Sequence, residues 1–120
     1  MQQSTSLPLI PGLNVEPAVK RLAGSVKLYL KTLKKVRDSL PEQGQKIAAA
    51  HAAGDFEVLR REIHTLKGLA ATVGAEELAE TNARLESLAA ERQLPDSAAM
   101  GDLQGQIQRL REILDTVDFG

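Results

Sequence analysis

The chain has 120 residues and a mass of 13.0 kDa, the size of one domain, with 15 Lys/Arg against 16 Asp/Glu and a formal charge of −1. The absence of Cys excludes a disulfide framework, a thiolate zinc site and a Cys nucleophile. The balanced charge, and aromatics limited to Tyr29, Phe56 and Phe119, argue against a nucleic-acid partner.

Residues 1–13 read as a tail or linker and residues 14–120 as one helical domain. The tail has no basic residue ahead of Leu7, so no signal peptide is expected. No apolar run approaches the roughly 20 residues that span a bilayer, so a cytoplasmic protein without a membrane partner is expected. Pro8, Pro11 and Gly12 break regular structure, while Leu7, Leu9, Ile10 and Leu13 are suited to lie across the end of a bundle.

Beyond the tail the apolar spacing is helical nearly everywhere and period-two runs are absent, which predicts an all-α fold. Asn14 reads as the N-cap of a short helix over 15–22, with Pro17 tolerated in its first turn. Gly24-Ser25 separates it from a long helix over 26–53, striped by Val26, Leu30 or Tyr29, Leu33, Val36, Leu40, Gly44, Ile47 and His51. Pro41 inside that stripe predicts a kink, or a break and restart. Gly54 stops the helix and Asp55 caps the next one, over 56–73, with Phe56, Leu59, Ile63, Leu66, Ala70 and Val73 inward. Gly74 ends it, and a fourth helix over 75–92 turns Leu78, Leu85 and Leu88 inward. After the turn Pro95-Asp96-Ser97, a last helix over 98–117 presents Leu103, Ile107, Leu110, Leu114 and Val117, with Gly101 and Gly105 able to delay its start. Connections this short favour antiparallel neighbours. The predicted architecture is an up-and-down antiparallel four-helix bundle with a short N-terminal helix and a flexible N-terminal tail.

The inventory of reactive groups is small: two His, with Lys and carboxylates, and no glycine-rich phosphate loop. At about 100° per residue, His64 lies roughly 130° from the centre of its helix's apolar stripe, on the solvent side. Arg60, Arg61 and Lys67 share its flank, as do Gly68 and Ala71. An exposed imidazole framed by cations favours the neutral form, whose free lone pair is a competent nucleophile toward phosphorus. A nearby cation can then hold the transferred phosphoryl oxygens, and a glycine one turn away leaves room for a second protein. Spacing alone leaves open that His64 is a plain polar surface residue.

The run His64-Thr65-Leu66-Lys67-Gly68, followed by Gly74 and Leu78, resembles the histidine phosphotransfer (HPt) domain, with its H-x-[LIF]-K-G and a second Gly six residues on. Leu40-Pro41, Ala48-Ala49-Ala50 and Ala52-Ala53-Gly54-Asp55 look like the helix end and cap that precede the family's His helix. Leu13-Asn14-Val15 with Leu22 and Gly24 is similar to its leading helix, and Leu85-Glu86 to its fourth. The resemblance implies a phosphorelay carrier that takes a phosphoryl group from one receiver-domain aspartate and passes it to another. His64 is then the phosphoaccepting residue, Lys67 positions the phosphoryl group and Gly68 keeps the approach open; from their place beside the His flank, Arg60, Arg61, Leu69 and Ala71 are the candidate partner contacts. It also implies no intrinsic cofactor and no metal site, with Mg²⁺ supplied by the receiver. The partners implied are response-regulator receivers and a cognate hybrid sensor kinase, and the carrier is a monomer. The outermost ring atom, Nε2, is expected to attack.

Other residues read more plainly. Leu69 is equally suited to the core. His51 departs from the apolar residue usual in the family at that place, and is expected to be a partly buried His with a hydrogen-bond partner rather than half of a metal pair. Lys31, Lys34, Lys35 and Arg37 read as a solvated helix face, or as an attractor for an acidic receiver surface. Three rival functions remain: a docking module that accepts no phosphate, a phosphotransfer segment phosphorylated directly by a chemotaxis-type kinase, and a metal-dependent enzyme. The near-neutral total conceals a charge of +5 over residues 1–68 and −6 over residues 69–120.

Overall fold

The computed structural model describes residues 7–119; the expectations for residues 1–6 fall outside it. Five helices follow in order: α1 (Val15–Arg21), α2 (Val26–Ala53), α3 (Phe56–Val73), α4 (Glu76–Ala90) and α5 (Ser97–Asp115). No strand occurs among the described residues.

Glycines and caps set the corners. Gly54 and Gly74 take left-handed φ values of 65° and 86°, which L-residues reach only with strain, and their N–H groups close the preceding helices. The Asp55 side chain accepts from the Val58 N–H at 3.1 Å and starts α3 at once. Joints this tight force consecutive helices to fold back. Contacts across the bundle fit the expected antiparallel order. Tyr29 meets Val73 between α2 and α3, and His64 meets Glu86 between α3 and α4. Glu77 meets Arg109 between α4 and α5, and Gly44 meets Gln104 between α5 and α2. The four long helices therefore close into a ring around one core built from Leu33, Leu40, Ile47, Leu59, Ile63, Leu66, Leu103 and Leu114, all at or near zero exposure. The short α1 lies over α3 and α2.

Several details differ from the expectations. Helix α2 runs through the exposed Pro41 as one element, so of the two outcomes expected there the break and restart does not occur. Tyr29, not Leu30, fills the core, with its hydroxyl donating to the Val73 carbonyl at 2.8 Å. Burial pushes that phenol up to about 12, against the opposing Arg21 charge. Ala50 is buried near the end of α2, and His51 beside it is partly buried, as expected. Asn14 precedes α1 but makes no side-chain cap; its amide donates to Glu76 Oε2 at 3.1 Å. Helix α4 starts at Glu76 and stops at Ala90, and α5 starts at Ser97, where Asp96 caps it and neither Gly101 nor Gly105 delays it. Of the N-terminal apolar residues, Ile10 is buried and Leu13 packs on the core, whereas Leu9 is 95% exposed.

Candidate functional site

His64 sits mid-way along α3, facing out of the bundle, with its side chain 65% exposed. The helix phase that buries Ile63 and Leu66 puts it there. Its ring is held on one side only. Nδ1 lies 2.8 Å from Glu86 Oε2 on α4, and Lys67 Nζ donates to the other oxygen, Oε1, at 2.5 Å. One carboxylate thus bridges the two α3 residues expected to carry the chemistry.

The Lys67 hydrogen bond, foremost, holds the Glu86 carboxyl below its ordinary range, with the His64 contact adding to it and burial opposing it. An ionised carboxylate only accepts hydrogen bonds. The proton between His64 and Glu86 therefore belongs to Nδ1, and in the neutral imidazole the free lone pair is on Nε2, the solvent-side nitrogen. The Glu86 side chain is only 17% exposed, so its contacts hold the ring in place.

The remaining candidates occupy less central places. Arg60 pairs with Glu57 at 2.9 Å and Arg61 approaches Glu62 at 3.6 Å, so both guanidinium groups are drawn to acidic neighbours on their own helix. Of the three cations expected to frame His64, Lys67 alone shares a hydrogen-bond partner with it. Gly68 is exposed, and a Cβ added there would meet nothing within 4 Å. Ala71 is exposed two turns from His64, and its carbonyl accepts from Arg21 Nη2. Leu69 is half-buried and packs on the core. Beside Ala71 a shallow groove of about 530 Å³ is lined by Arg21, Glu76, Ala79 and Glu80.

Comparison with known families decides what this frame is. The Hpt domain matches residues 31–118, most of the chain and all of α3, α4 and α5. The chain belongs to the Hpt domain family. Its function is accordingly histidine phosphotransfer in a two-component phosphorelay, a process in which Hpt domains work with response-regulator receivers. The fold agrees with two crystal structures. One is the HPT domain of an Hpt sensor hybrid histidine kinase from Shewanella, at TM-score 0.78 and 22% identity, covering 87% of this chain and 91% of that one. The other is histidine-containing phosphotransfer protein B from Pseudomonas aeruginosa, at TM-score 0.75 and 24% identity, covering 88% and 92%. No curated protein matches the chain. The family match begins inside α2, so the likeness of Leu13 to Gly24 to a leading helix lies outside it.

Within this Hpt domain, Glu86 is the residue that reading the sequence left without a role. It lies 22 positions from His64 and on another helix. A signal was nevertheless present. Reflecting position 64 through the Gly74-Ala75 joint of an antiparallel hairpin lands one residue from Glu86. His51 is partly buried at the far end of α2, where its Nε2 lies 2.6 Å from the Pro95 carbonyl and ties α2 to the α4–α5 connection. Among the described residues no three His, Asp or Glu side chains converge to hold a metal ion, and no helix is long and apolar enough to cross a membrane.

Proposed function

We propose that His64 is the phosphoryl acceptor, taking the group from the aspartyl phosphate of one receiver and giving it to the aspartate of another. The observation that carries this reading is the Glu86 contact at Nδ1. It directs the Nε2 lone pair outward, toward an incoming phosphorus. As the Nε2–P bond forms, the P–O bond to the receiver aspartate breaks and its carboxylate leaves. Nδ1 keeps its proton throughout, so the ring becomes a phosphorylated imidazolium whose charge Glu86 offsets. Reversal uses the same atoms, which suits a carrier.

Lys67 is one turn from His64 and partly exposed, and can exchange Glu86 for the phosphoryl oxygens as charge accumulates there. Gly68 contributes by what it lacks, since no side chain stands between the ring and a docked receiver. Arg60, Arg61, Leu69 and Ala71, on the same helix as His64, are the receiver contacts in this reading. In this reading Mg²⁺ belongs to the receiver, the chain has no ATP site of its own, and it acts as a cytoplasmic monomer beside a cognate hybrid sensor kinase. Most of the rate then comes from positioning and charge stabilisation.

The test is incubation with a ³²P-labelled phosphorylated receiver. Wild type is expected to acquire an acid-labile, base-stable label, and His64→Gln none. Equal labelling of both refutes the assignment.

A further inference from the structure

The outer face of the first half of α2 has no role in the site at His64. From Pro17 to Arg37 the chain carries seven Lys or Arg and no Asp or Glu. Three of these cations are engaged: Lys20 by Glu16, Arg21 by the Ala71 carbonyl, and Arg37 by Asp38 and the Phe119 ring. The other four, Lys27, Lys31, Lys34 and Lys35, are exposed and have no hydrogen-bond or ion-pair partner among the described residues.

Their spacing puts all four on one face, opposite the buried Tyr29, Leu33 and Val36, over about 12 Å of helix. Like charges three and four residues apart repel one another. Elsewhere the exposed faces relieve such strain with alternating signs, as in Glu16–Lys20, Glu42–Lys46 and Glu57–Arg60. Between Lys27 and Lys35 the strip has no acidic residue of its own, so an acidic group brought by another molecule would find four uncompensated cations there. Leu28, 44% exposed, stands at its edge and offers an apolar foothold.

The same face limits what that molecule can be. Helix phase places Asp38 and Glu42 on it immediately after Lys35. A flat anionic membrane, or a nucleic-acid duplex lying along α2, would be pressed against those carboxylates. A short acidic segment would end before reaching them. We propose that Lys27, Lys31, Lys34 and Lys35, with Leu28, form a docking strip, about two helical turns long, for an acidic polypeptide segment of a partner. The strip and His64 do not compete, since α2 and α4 flank α3 on opposite sides and His64 leans toward α4. A partner can therefore stay tethered at α2 while phosphoryl groups pass at α3. The inference stands on charge and placement, independently of the assignment of His64.

The test uses the full chain and a fluorescein-labelled 12-residue Glu-rich peptide containing one Leu, followed by anisotropy at low and physiological salt. Wild type is expected to bind, more weakly as salt rises. The variant K27Q/K31Q/K34Q/K35Q should bind on the order of tenfold more weakly, each exposed pair contributing a factor of about two. K46Q, whose lysine pairs with Glu42, should bind like wild type, and circular dichroism should show both variants folded. Saturating peptide should leave labelling of His64 unchanged. Undiminished binding by the quadruple variant overturns the proposal. So does peptide that blocks labelling, or tighter binding of wild type to phosphatidylserine vesicles or duplex DNA than to the peptide.

Discussion

Gly74 and Gly54 hold the same left-handed conformation at equivalent helix ends, yet replacing each by Ala should have unequal effects. At Gly54, with φ of 65°, a Cβ meets nothing within 4 Å, so the penalty is that of the backbone alone, about 1–2 kcal/mol. At Gly74, with φ of 86°, the same Cβ runs into the Asn14 backbone, carbonyl oxygen first. Relief requires the entry to α1 to move away. That movement breaks the Asn14 N–H to Gly74 carbonyl bond of 2.9 Å, worth about 0.5–1.5 kcal/mol, and strains the Asn14–Glu76 contact. Gly74→Ala should therefore destabilise by roughly 2–4 kcal/mol. At about 4 °C per kcal/mol for a domain this size, its melting temperature should fall by roughly 8–15 °C, against roughly 4–8 °C for Gly54→Ala. Urea and thermal unfolding followed by circular dichroism read both variants. If Gly54→Ala lost as much as Gly74→Ala, the close packing of α1 on the α3–α4 joint would not be what constrains that glycine.

Gly68 is a glycine of a different kind, since open space surrounds it. Gly68→Ala should raise stability by about 0.5–1 kcal/mol in urea titrations, while Gly68→Phe stays folded but transfers poorly from a phosphorylated receiver. Glu86→Gln preserves size and removes charge; phosphoryl transfer should slow by about tenfold or more in rapid-quench measurements, with little change in receiver affinity. Because the folded state lowers the Glu86 pKa beneath 4.5, its carboxylate stabilises the fold at higher pH, and that contribution is lost as pH falls through the lowered value. Glu86→Gln should accordingly lose less stability than wild type between pH 4.5 and more acidic solution, as read by urea midpoints. His51→Ala removes the contact with the Pro95 carbonyl and should lower stability by about 1 kcal/mol without changing labelling of His64.

The elements most legible in the sequence were those whose signals are local. Asp55, the stripe from Leu59 to Val73 and Gly74 define α3 within its own residues, and its bounds come out as read. At Pro41 a local rule sees the missing N–H and leaves a kink or a break open, and only the continuity of α2 removes the break. The choice between Tyr29 and Leu30 rests on a partner in another element, the Val73 carbonyl, and the expected partner of His51 proves to be the Pro95 carbonyl. The same division runs through the site. His64, Lys67 and Gly68 are neighbours on one helix and stand out together, whereas Glu86 becomes visible only once α4 is folded back along α3. The pairing of Arg60 with Glu57 and of Arg61 with Glu62 is likewise not legible in the sequence, since spacing alone does not say which neighbour a long side chain turns to.

The bond between His64 and Glu86 spans one tight joint and 22 positions of chain. In folding terms it is a contact of low order, closed by the α3–α4 hairpin with little loop entropy to overcome. The acceptor geometry should thus be among the first arrangements to form and the quickest to return after a local opening. It also means that α1 and the distal half of α5 contribute no atom to the His64–Glu86–Lys67 cluster. Their surfaces are free to diverge toward different partners while the phosphoryl chemistry stays the same.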